Sequence, residues 1–385
     1  MISYRVMRIG VSLALGFALT GCGLFNQMNV EPIATASHRP SNVAAYVAVT
    51  DGDEPITELL PANFHVYENE QLVPAEQSEL TLLDRNVAAA HQALLLVDMS
   101  QAKTPEARAL AAKASLGFVT SLSPHEPVSV FAYDGAEGLV PIVSVAKGAP
   151  APTSLAALEN YSPRDSSRNL NGAVLAALGK LDASLAQTGR PVKIGTLVVF
   201  ASGPDVAGRA DADLVHDTVW EGAHDVIVIG IGEEADRVSS LARRGLVRAQ
   251  NAGTLSIAFE EAAMKARAEL EKYYLVSYCS PGRAGERRLR LEVTYTTKEG
   301  QEHTGDFEFD FSARGFEAGC NSLKAPPLTL RPKDTYSNTA ASKNGPSNGS
   351  ANGAPSKSKA APDSREHDQG EDAPVPPPEQ SGYAK

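Results

Sequence analysis

Residues 92–102 read QALLLVDMSQA. A continuous apolar run, residues 93–97, ends abruptly in Asp98 and Ser100. Such a run predicts a strand that is buried on both faces and carries polar side chains at its carboxyl end. In an open parallel sheet, ligands bind at that end of the strands. The stretch therefore predicts the centre of a sheet and, at its tip, a candidate site.

Downstream of this stretch, strand patterns alternate with amphipathic helix patterns as far as residue 279. Thr104 can cap the first helix, with Pro105 at its first position. Further strands are expected at 127–133, 138–145, 192–200, 225–231 and 273–279, and helices at 169–187, 211–222, 235–244 and 254–272. This alternation predicts an α/β fold with a doubly wound, mostly parallel sheet. The turn at Asp134-Gly135 predicts a hairpin that adds one antiparallel edge strand.

Two segments outside this region alternate as antiparallel strands do, at residues 43–83 and 289–312. Because a lone hairpin is barely stable, we expect them to pack together as one small β module. The predicted domains are a signal peptide at 1–21, a tether at 22–40, an N-terminal β module at 41–85, an α/β domain at 86–280, a C-terminal hairpin at 281–322 and a tail at 323–385. The tail is rich in Pro, Ser, Asn and Gly, which predicts disorder.

The amino terminus has the pattern of an export signal. Two arginines precede an apolar run at 9–19, which is too short for a comfortable membrane span and ends in LTGC at 19–22. This end resembles the lipobox of bacterial lipoproteins, which implies acylation of Cys22 and a membrane anchor. Gly23 follows the cysteine, which in enteric-type sorting favours the outer membrane. The alternative is an ordinary secretory signal with an incidental cysteine.

The charge and the remaining cysteines bound the function further. The 385 residues carry a formal net charge of -11 and no basic stripe, which argues against nucleic-acid binding. Besides Cys22 the chain has Cys279 and Cys320. In an oxidising envelope compartment two such cysteines are expected to form a disulfide, with free buried thiols as the alternative.

The chain resembles a known family in two places. The order of strands and helices after residue 92 resembles a von Willebrand factor type A domain. The segment before it is similar to the small β module that precedes this domain in a family of bacterial exported proteins. The matching residues of that module are Val47-Ala48-Val49-Thr50-Asp51, Pro55-Ile56, Leu59, Asn63-Phe64, Val66 and Glu68. The resemblance covers roughly residues 43–312 and implies a protein-interaction role.

Type A domains often hold Mg²⁺ in a metal-ion-dependent adhesion site. Its oxygen ligands come from Asp-x-Ser-x-Ser after the first strand, a Thr from a later loop and an Asp after the fourth strand. Asp98 and Ser100 match the first two positions, but Ala102 replaces the second Ser and removes a hydroxyl. The resemblance thus implies a metal site that has lost part of its ligand set.

The other two loops depart further from the pattern. Arg168 stands where the Thr is expected, and Ser202 replaces the metal-facing Asp, while the outer Asp205 is kept. A guanidinium beside Asp98 repels Mg²⁺ and can neutralise the carboxylate itself. Our hypothesis is that Arg168 pairs with Asp98 and replaces the metal charge, so that no metal or other cofactor is bound. The alternative is a weak Mg²⁺ site at Asp98 and Ser100, with water in the lost positions.

Other chemical readings have less support. Residues 230–235 read GIGEEA, which fits the dinucleotide pattern G-x-G-x-x-A, but no acidic residue follows about 20 positions later. His216 and His224 have no metal-ligand spacing, and neither a Gly-x-Ser-x-Gly elbow nor a phosphate-binding loop occurs. The sequence therefore predicts a non-catalytic envelope lipoprotein that binds another protein through the tip of its sheet. A cation-dependent binder and a nucleotide-using enzyme are the two alternatives.

Overall fold

The computed structural model describes residues 28–330. In chain order the strands are β1 (Met28–His38), β2 (Asn42–Asp51), β3 (Glu54–Pro55), β4 (Phe64–Glu68), β5 (Gln71–Val73), β6 (Thr81–Leu83), β7 (Ala89–Asp98), β8 (Val128–Tyr133), β9 (Val140–Val145), β10 (Val192–Ala201), β11 (Asp225–Ile231), β12 (Leu246–Ala249), β13 (Tyr273–Cys279), β14 (Glu286–Thr296), β15 (Glu302–Ser312) and β16 (Thr329–Leu330). The α-helices are α1 (Ala75–Ser78), α2 (Pro105–Leu122), α3 (Ala156–Glu159), α4 (Leu170–Ala186), α5 (Ala212–Glu221), α6 (Glu234–Arg237) and α7 (Leu255–Glu271). No helix between residues 28 and 330 is long and apolar enough to cross a bilayer.

The central sheet has the order β12-β11-β10-β7-β8-β9. All its neighbours are parallel except β9, which runs antiparallel to β8 as the expected hairpin. Counted within this sheet the order is 3-2-1-4-5-6, so the direction of winding reverses between β7 and β10. In open α/β sheets the crevice at such a reversal is where ligands bind.

Strand β7 lies at the middle of this sheet because its side chains are apolar on both faces. Leu94, Leu95, Leu96 and Val97 are at most 1% exposed. Successive side chains of a strand point to opposite faces. Accordingly Leu95 and Val97 pack in the core under α2 and α7, while Leu94 and Leu96 pack in the core under α4 and α5. Helices therefore cover both faces, as the continuous apolar run predicts.

Two further sheets are antiparallel. The first has the order β16-β1-β2-β13-β6, with β3 also paired to β2, and the second has the order β15-β14-β4-β5. Their facing side chains share one core, to which Val47, Tyr274 and Phe307 belong. The other face of the first sheet packs on the amino ends of the central strands, where Tyr46 and Ile194 meet.

Cys279 and Cys320 form a disulfide with a Cα–Cα distance of 5.7 Å, so the expected pairing is confirmed.

Four sequence expectations are wrong. Met28–His38 is strand β1, paired with β2 along its length, and not part of a tether. Pro32 argues against a strand in the sequence, because proline cannot donate to a ladder. The register of the β1–β2 pair shifts between Pro32 and Ala34, as is typical where a proline interrupts a ladder. Strand β13 pairs with β2 and β6 and not with the central sheet, because an apolar run does not reveal which sheet will receive it.

The other two corrections concern the helix at 235–244 and the start of the tail. The helix is reduced to α6 and a 3-10 turn at Ser239–Leu241, where the Ser239 hydroxyl donates to Asp236 O at 2.7 Å and competes with helical bonding. The segment 323–330 is ordered, since Leu328 is buried and β16 pairs with β1. The expected signal peptide, Cys22 and the tail from residue 331 lie outside the described residues.

Candidate functional site

The candidate site lies at the tips of β7 and β10, where the sheet order reverses. Asp98 is the last residue of β7, and Ser202 follows directly after β10. The two strands are paired in register up to Val97 and Phe200, which brings their tips side by side. The Asp98 side chain is 0% exposed.

Five hydrogen bonds converge on the Asp98 carboxylate. Ser100 donates to Oδ1 from its backbone N–H at 2.9 Å and from its hydroxyl at 2.6 Å. Ser202 donates to Oδ2 in the same two ways, at 3.0 and 2.6 Å. Arg168 Nε donates to Oδ2 at 2.7 Å. A carboxylate offers about four lone-pair positions, so these donors fill its acceptor capacity.

Arg168 supplies the charge that balances Asp98. Its side chain is 10% exposed, and besides Asp98 it reaches two groups of the loop after β10. Nη2 donates to the Ser202 hydroxyl and Nη1 to Pro204 O, both at 2.8 Å. The Ser202 hydroxyl therefore accepts from the arginine and donates to Asp98, which makes a closed ring of charge-assisted bonds.

The loop after β10 is built around Arg168. The Arg168 carbonyl accepts the backbone N–H groups of Val206 and Ala207 at 3.0 Å. Gly203 is required next to it, because a Cβ there would lie 2.8 Å from Arg168 Nη1. The loop thus contacts both the guanidinium and the backbone carbonyl of Arg168. Val206, in the same loop, is 65% exposed to solvent.

Asp205, the outer acid of the sequence pattern, has a structural role in this loop. Its Oδ1 accepts from Gly208 N at 2.8 Å, and its Oδ2 accepts from Asn171 N at 3.1 Å in the first turn of α4. A carboxylate at a helix N-terminus is favourable because it satisfies a free N–H and the helix dipole. Asp205 therefore joins the loop to α4 and does not face Asp98 with a free oxygen.

Ala102 is buried and closes the turn after β7, with its N–H bonded to Met99 O at 3.1 Å. The position where the type A pattern has a second serine thus carries no oxygen ligand. Within residues 28–330, no group of three or more His, Cys, Asp or Glu side chains is placed to hold a metal ion.

A second buried acid, paired with a half-exposed arginine, lies at the next strand tip, and the sequence analysis missed it. Asp134 follows β8, and its carboxylate accepts from Arg164 Nη2 at 3.2 Å and from the Tyr161 hydroxyl at 2.9 Å. Burial opposes ionisation of Asp134, but hydrogen bonds from Arg164, Ala136 and Tyr161 outweigh it and lower the pKa of the carboxyl. Asp134 stands at the end of a strand, as Asp98 does, and this position could have identified it. In the sequence, however, Asp134-Gly135 indicated only a hairpin turn.

The solvent-facing rim of these loops is well defined. Arg209 donates to Gly135 O at 2.7 Å and pairs with Asp165 at 3.2 Å, which links the loops after β8 and β10. We call this rim the carboxyl-edge surface. It consists of Gln101, Glu137, Arg164, Val206 and Arg209.

The remaining sequence candidates lie elsewhere. Gly230 allows close packing of β11 on α6, because a Cβ there would lie 2.5 Å from the Cβ of Ala235. His216 stacks on Trp220 with ring centroids 5.8 Å apart. His224 accepts from Gly195 N at 3.0 Å through Nδ1, and its Nε2 faces an Asp182 oxygen at 2.9 Å. These groups do not converge on one site.

No family model matches the sequence, and no curated protein matches it. Solved structures with partial similarity include proximal thread matrix protein 1 from the mussel byssus, with 12% identity over 53% of this chain and 51% of that chain and a TM-score of 0.35. Another structure of that protein, with a zinc-occupied MIDAS motif, has 13% identity over 47% of this chain and 48% of that chain and a TM-score of 0.36.

The SpRpn10 VWA domain has 13% identity over 44% of this chain and 93% of that chain, with a TM-score of 0.31. The chain thus spans about half the length of the mussel protein. Likenesses of this size say nothing about what the chain binds.

Proposed function

We propose that this chain is a non-catalytic interaction protein of the bacterial envelope, built on a von Willebrand type A-like domain that works without a metal ion. One observation carries the proposal: the Arg168 guanidinium is bonded to Asp98 at 2.7 Å, in the position that a divalent cation needs. We place the protein contact at the carboxyl-edge surface.

The metal-independent part of the proposal follows from acceptor capacity and charge. Asp98 already accepts five hydrogen bonds, so a cation would have to displace donors, two of which are backbone N–H groups. It would also meet the positive charge of the Arg168 guanidinium. Both effects oppose Mg²⁺, which demands a near-octahedral shell of oxygen ligands.

The non-catalytic part follows from how the polar groups are used. The hydroxyls of Ser100 and Ser202 both donate to Asp98, a carboxylate that also accepts Arg168 and two backbone N–H groups, so its acceptor positions are already filled. A general base has to reach a substrate proton, yet the Asp98 side chain is fully buried. The same bonds hold the loops in one arrangement, which lowers the entropy cost of protein binding.

The envelope part rests on the sequence around Cys22. We propose that this cysteine is acylated and anchors the chain in the outer membrane, where it meets a protein partner. Radiolabelled palmitate should enter the chain, and Cys22→Ser should abolish the label. Fractionation of the membranes by density then tests the outer-membrane assignment.

Titration calorimetry with Mg²⁺ and Mn²⁺ tests metal independence. We expect no heat of binding up to about 10 mM with the unmodified chain. A positive control restores the type A pattern in one variant, Ala102→Ser/Arg168→Thr/Ser202→Asp, and this variant should bind Mg²⁺. Submillimolar binding by the unmodified chain, lost in Asp98→Ala, would establish the cation-dependent alternative instead.

Site-specific photocrosslinking in cells tests the contact surface. A photoreactive amino acid at Val206 should give a discrete protein adduct, whereas the same group at Ile257 should not. The two positions are a matched pair because they are 65% and 67% exposed, and Ile257 lies on α7 and not on one of the loops that form the carboxyl-edge surface. We expect the adduct to persist with chelator. Adducts of equal yield at both positions would refute the assignment of the surface.

A further inference from the structure

A cavity beside the first antiparallel sheet, separate from the candidate site, is lined by basic side chains and by no acidic ones. It measures about 470 Å³ and lies between the β1–β2 turn at residues 38–42 and the segment 319–327. This volume is in the range of small-ligand sites. We refer to it as the proline-lined cavity.

The charge of its lining is one-sided. His38, Arg39 and Lys324 line the cavity, and no Asp or Glu does. Three other cavities of the described chain, at residues 51–63, 82–85 and 242–245, are all lined in part by carboxylates. Within residues 28–330, neither Arg39 nor Lys324 is in an ion pair. In a chain of net charge -11, a cavity whose lining includes Arg39 and Lys324 and no carboxylate has a positive local potential that attracts anions.

The walls of the cavity are held in place before any ligand arrives. Cys320 lies within the wall segment and is bonded to Cys279 at the end of β13. The Asn42 side chain donates to two carbonyl oxygens of this segment, those of Asn321 and Lys324. A site that is fixed in this way has little ordering entropy to lose on binding.

Apart from Asn42, Gly319 and Asn321, the rest of the lining is apolar. Pro40, Pro326 and Pro327 contribute ring surfaces, and Ala325 lies beside them. Arg39 is held over Gly315, where any Cβ would collide with its guanidinium. Cations next to an apolar wall suit an anion that has an apolar part attached, rather than a fully hydrated inorganic ion.

We propose that the proline-lined cavity binds the phosphate headgroup of an anionic phospholipid. Arg39 and Lys324 meet the phosphate oxygens, and the proline rings pack on the glycerol and the first methylenes. The choice of a lipid rests on the lipid anchor of the proposed function, which holds the chain at a membrane and raises the local headgroup concentration to the millimolar range. Arginine suits phosphate because its planar fork can donate two bonds at once.

Soluble short-chain lipids test this directly. The full chain is titrated by calorimetry with dihexanoyl phosphatidylglycerol below its micelle concentration, and with dihexanoyl phosphatidylcholine as the zwitterionic match. We expect a millimolar or tighter Kd for the anionic lipid, at least about tenfold weaker binding of the zwitterionic one, and at least about tenfold loss in Arg39→Gln/Lys324→Gln. The matched control Lys103→Gln/Lys193→Gln removes two exposed cations outside the cavity and should stay within about twofold.

Each other result overturns the proposal. Inorganic phosphate that binds as tightly as the lipid would make this a plain phosphate site. An equal loss in both double variants would mean non-specific attraction, and absence of lipid binding would end the idea. Photocrosslinking at Val206 is independent of the cavity, so a failure here leaves the protein-contact proposal standing, and the reverse also holds.

Discussion

The most informative single change is Arg168→Ala, because among residues 28–330 it removes the only full positive charge that touches Asp98. Breaking a buried ion pair by deleting one partner costs roughly 3–5 kcal/mol, since the other charge stays buried without compensation. Asp98 keeps four donors from two serines, so we expect the lower end, a loss of about 3 kcal/mol in the free energy of unfolding. Urea denaturation at pH 7, followed by circular dichroism, measures it.

Two comparisons make this measurement decisive. Arg237→Ala breaks an exposed pair with Glu234, 3.1 Å long, and should cost less than about 1 kcal/mol. In a double-mutant cycle, Asp98→Asn should recover part of the loss of Arg168→Ala, because the uncompensated charge is gone. A loss no larger than that of Arg237→Ala would refute the reasoning. So would a Mg²⁺ effect: 10 mM Mg²⁺ would stabilise the unmodified chain by about 2.7 kcal/mol if it bound with a Kd of 0.1 mM.

Three further predictions concern other described residues. Burial raises the pKa of Glu126 to about 8, whereas in the unfolded chain this carboxyl loses its proton above about pH 4.5, so the free energy of unfolding falls as pH rises between these values. Glu126→Gln removes this titration. In urea denaturation it should be more stable than the unmodified chain by up to about 3 kcal/mol at pH 7, and equal to it at pH 4. The pKa of Asp134 is lowered in the folded chain, so its contribution to the free energy of unfolding is present above the unfolded pKa and is lost as pH falls through the folded pKa. Asp134→Asn should therefore lower the free energy of unfolding by about 1–2 kcal/mol at pH 7 and leave it unchanged near pH 2. As a control, Asp217→Asn changes an exposed residue and should have no effect at either pH. The disulfide joins cysteines 41 positions apart, so the chain-entropy model predicts that Cys279→Ser/Cys320→Ser lowers the free energy of unfolding by about 4 kcal/mol. Thermal unfolding measures this loss. Equal melting temperatures for the variant and the unmodified chain would contradict it.

The central strand and its tip could be predicted from sequence because both depend on neighbouring residues. An apolar run that ends in Asp98 specifies a buried strand and the position of its polar end. The pairing of Arg168 with Asp98 was predicted by comparing three loops with the type A pattern. Ala102 and Ser202 each stand where the pattern has a metal ligand, and Arg168 brings a positive charge to the same place. That pair is present in the structure, at the tip where the sheet order reverses.

What the sequence could not predict depends on contacts between distant residues. Strand β13 resembles any other buried strand, and only its partners place it in the antiparallel sheet. The Asp134–Arg164 pair joins two loops that have no common pattern. The proline-lined cavity brings Arg39 next to Lys324, 285 positions later in the chain. Local periodicity carries no information about such juxtapositions, which arise from packing.

If an arginine stands in for a metal at this site, as we propose, the tip of the sheet is also controlled in a different way. A bound Mg²⁺ leaves when its concentration falls, and its loss alters the loops that it joins. Arg168 is covalently part of the chain and bonds both to Asp98 at the end of β7 and to Pro204 O in the loop after β10. On the proposed function, the loops keep one arrangement whatever the cation supply, and Val206 stays exposed in the same place. Regulation of a contact at this surface then has to come from the partner or from access to the surface, not from the occupancy of the site.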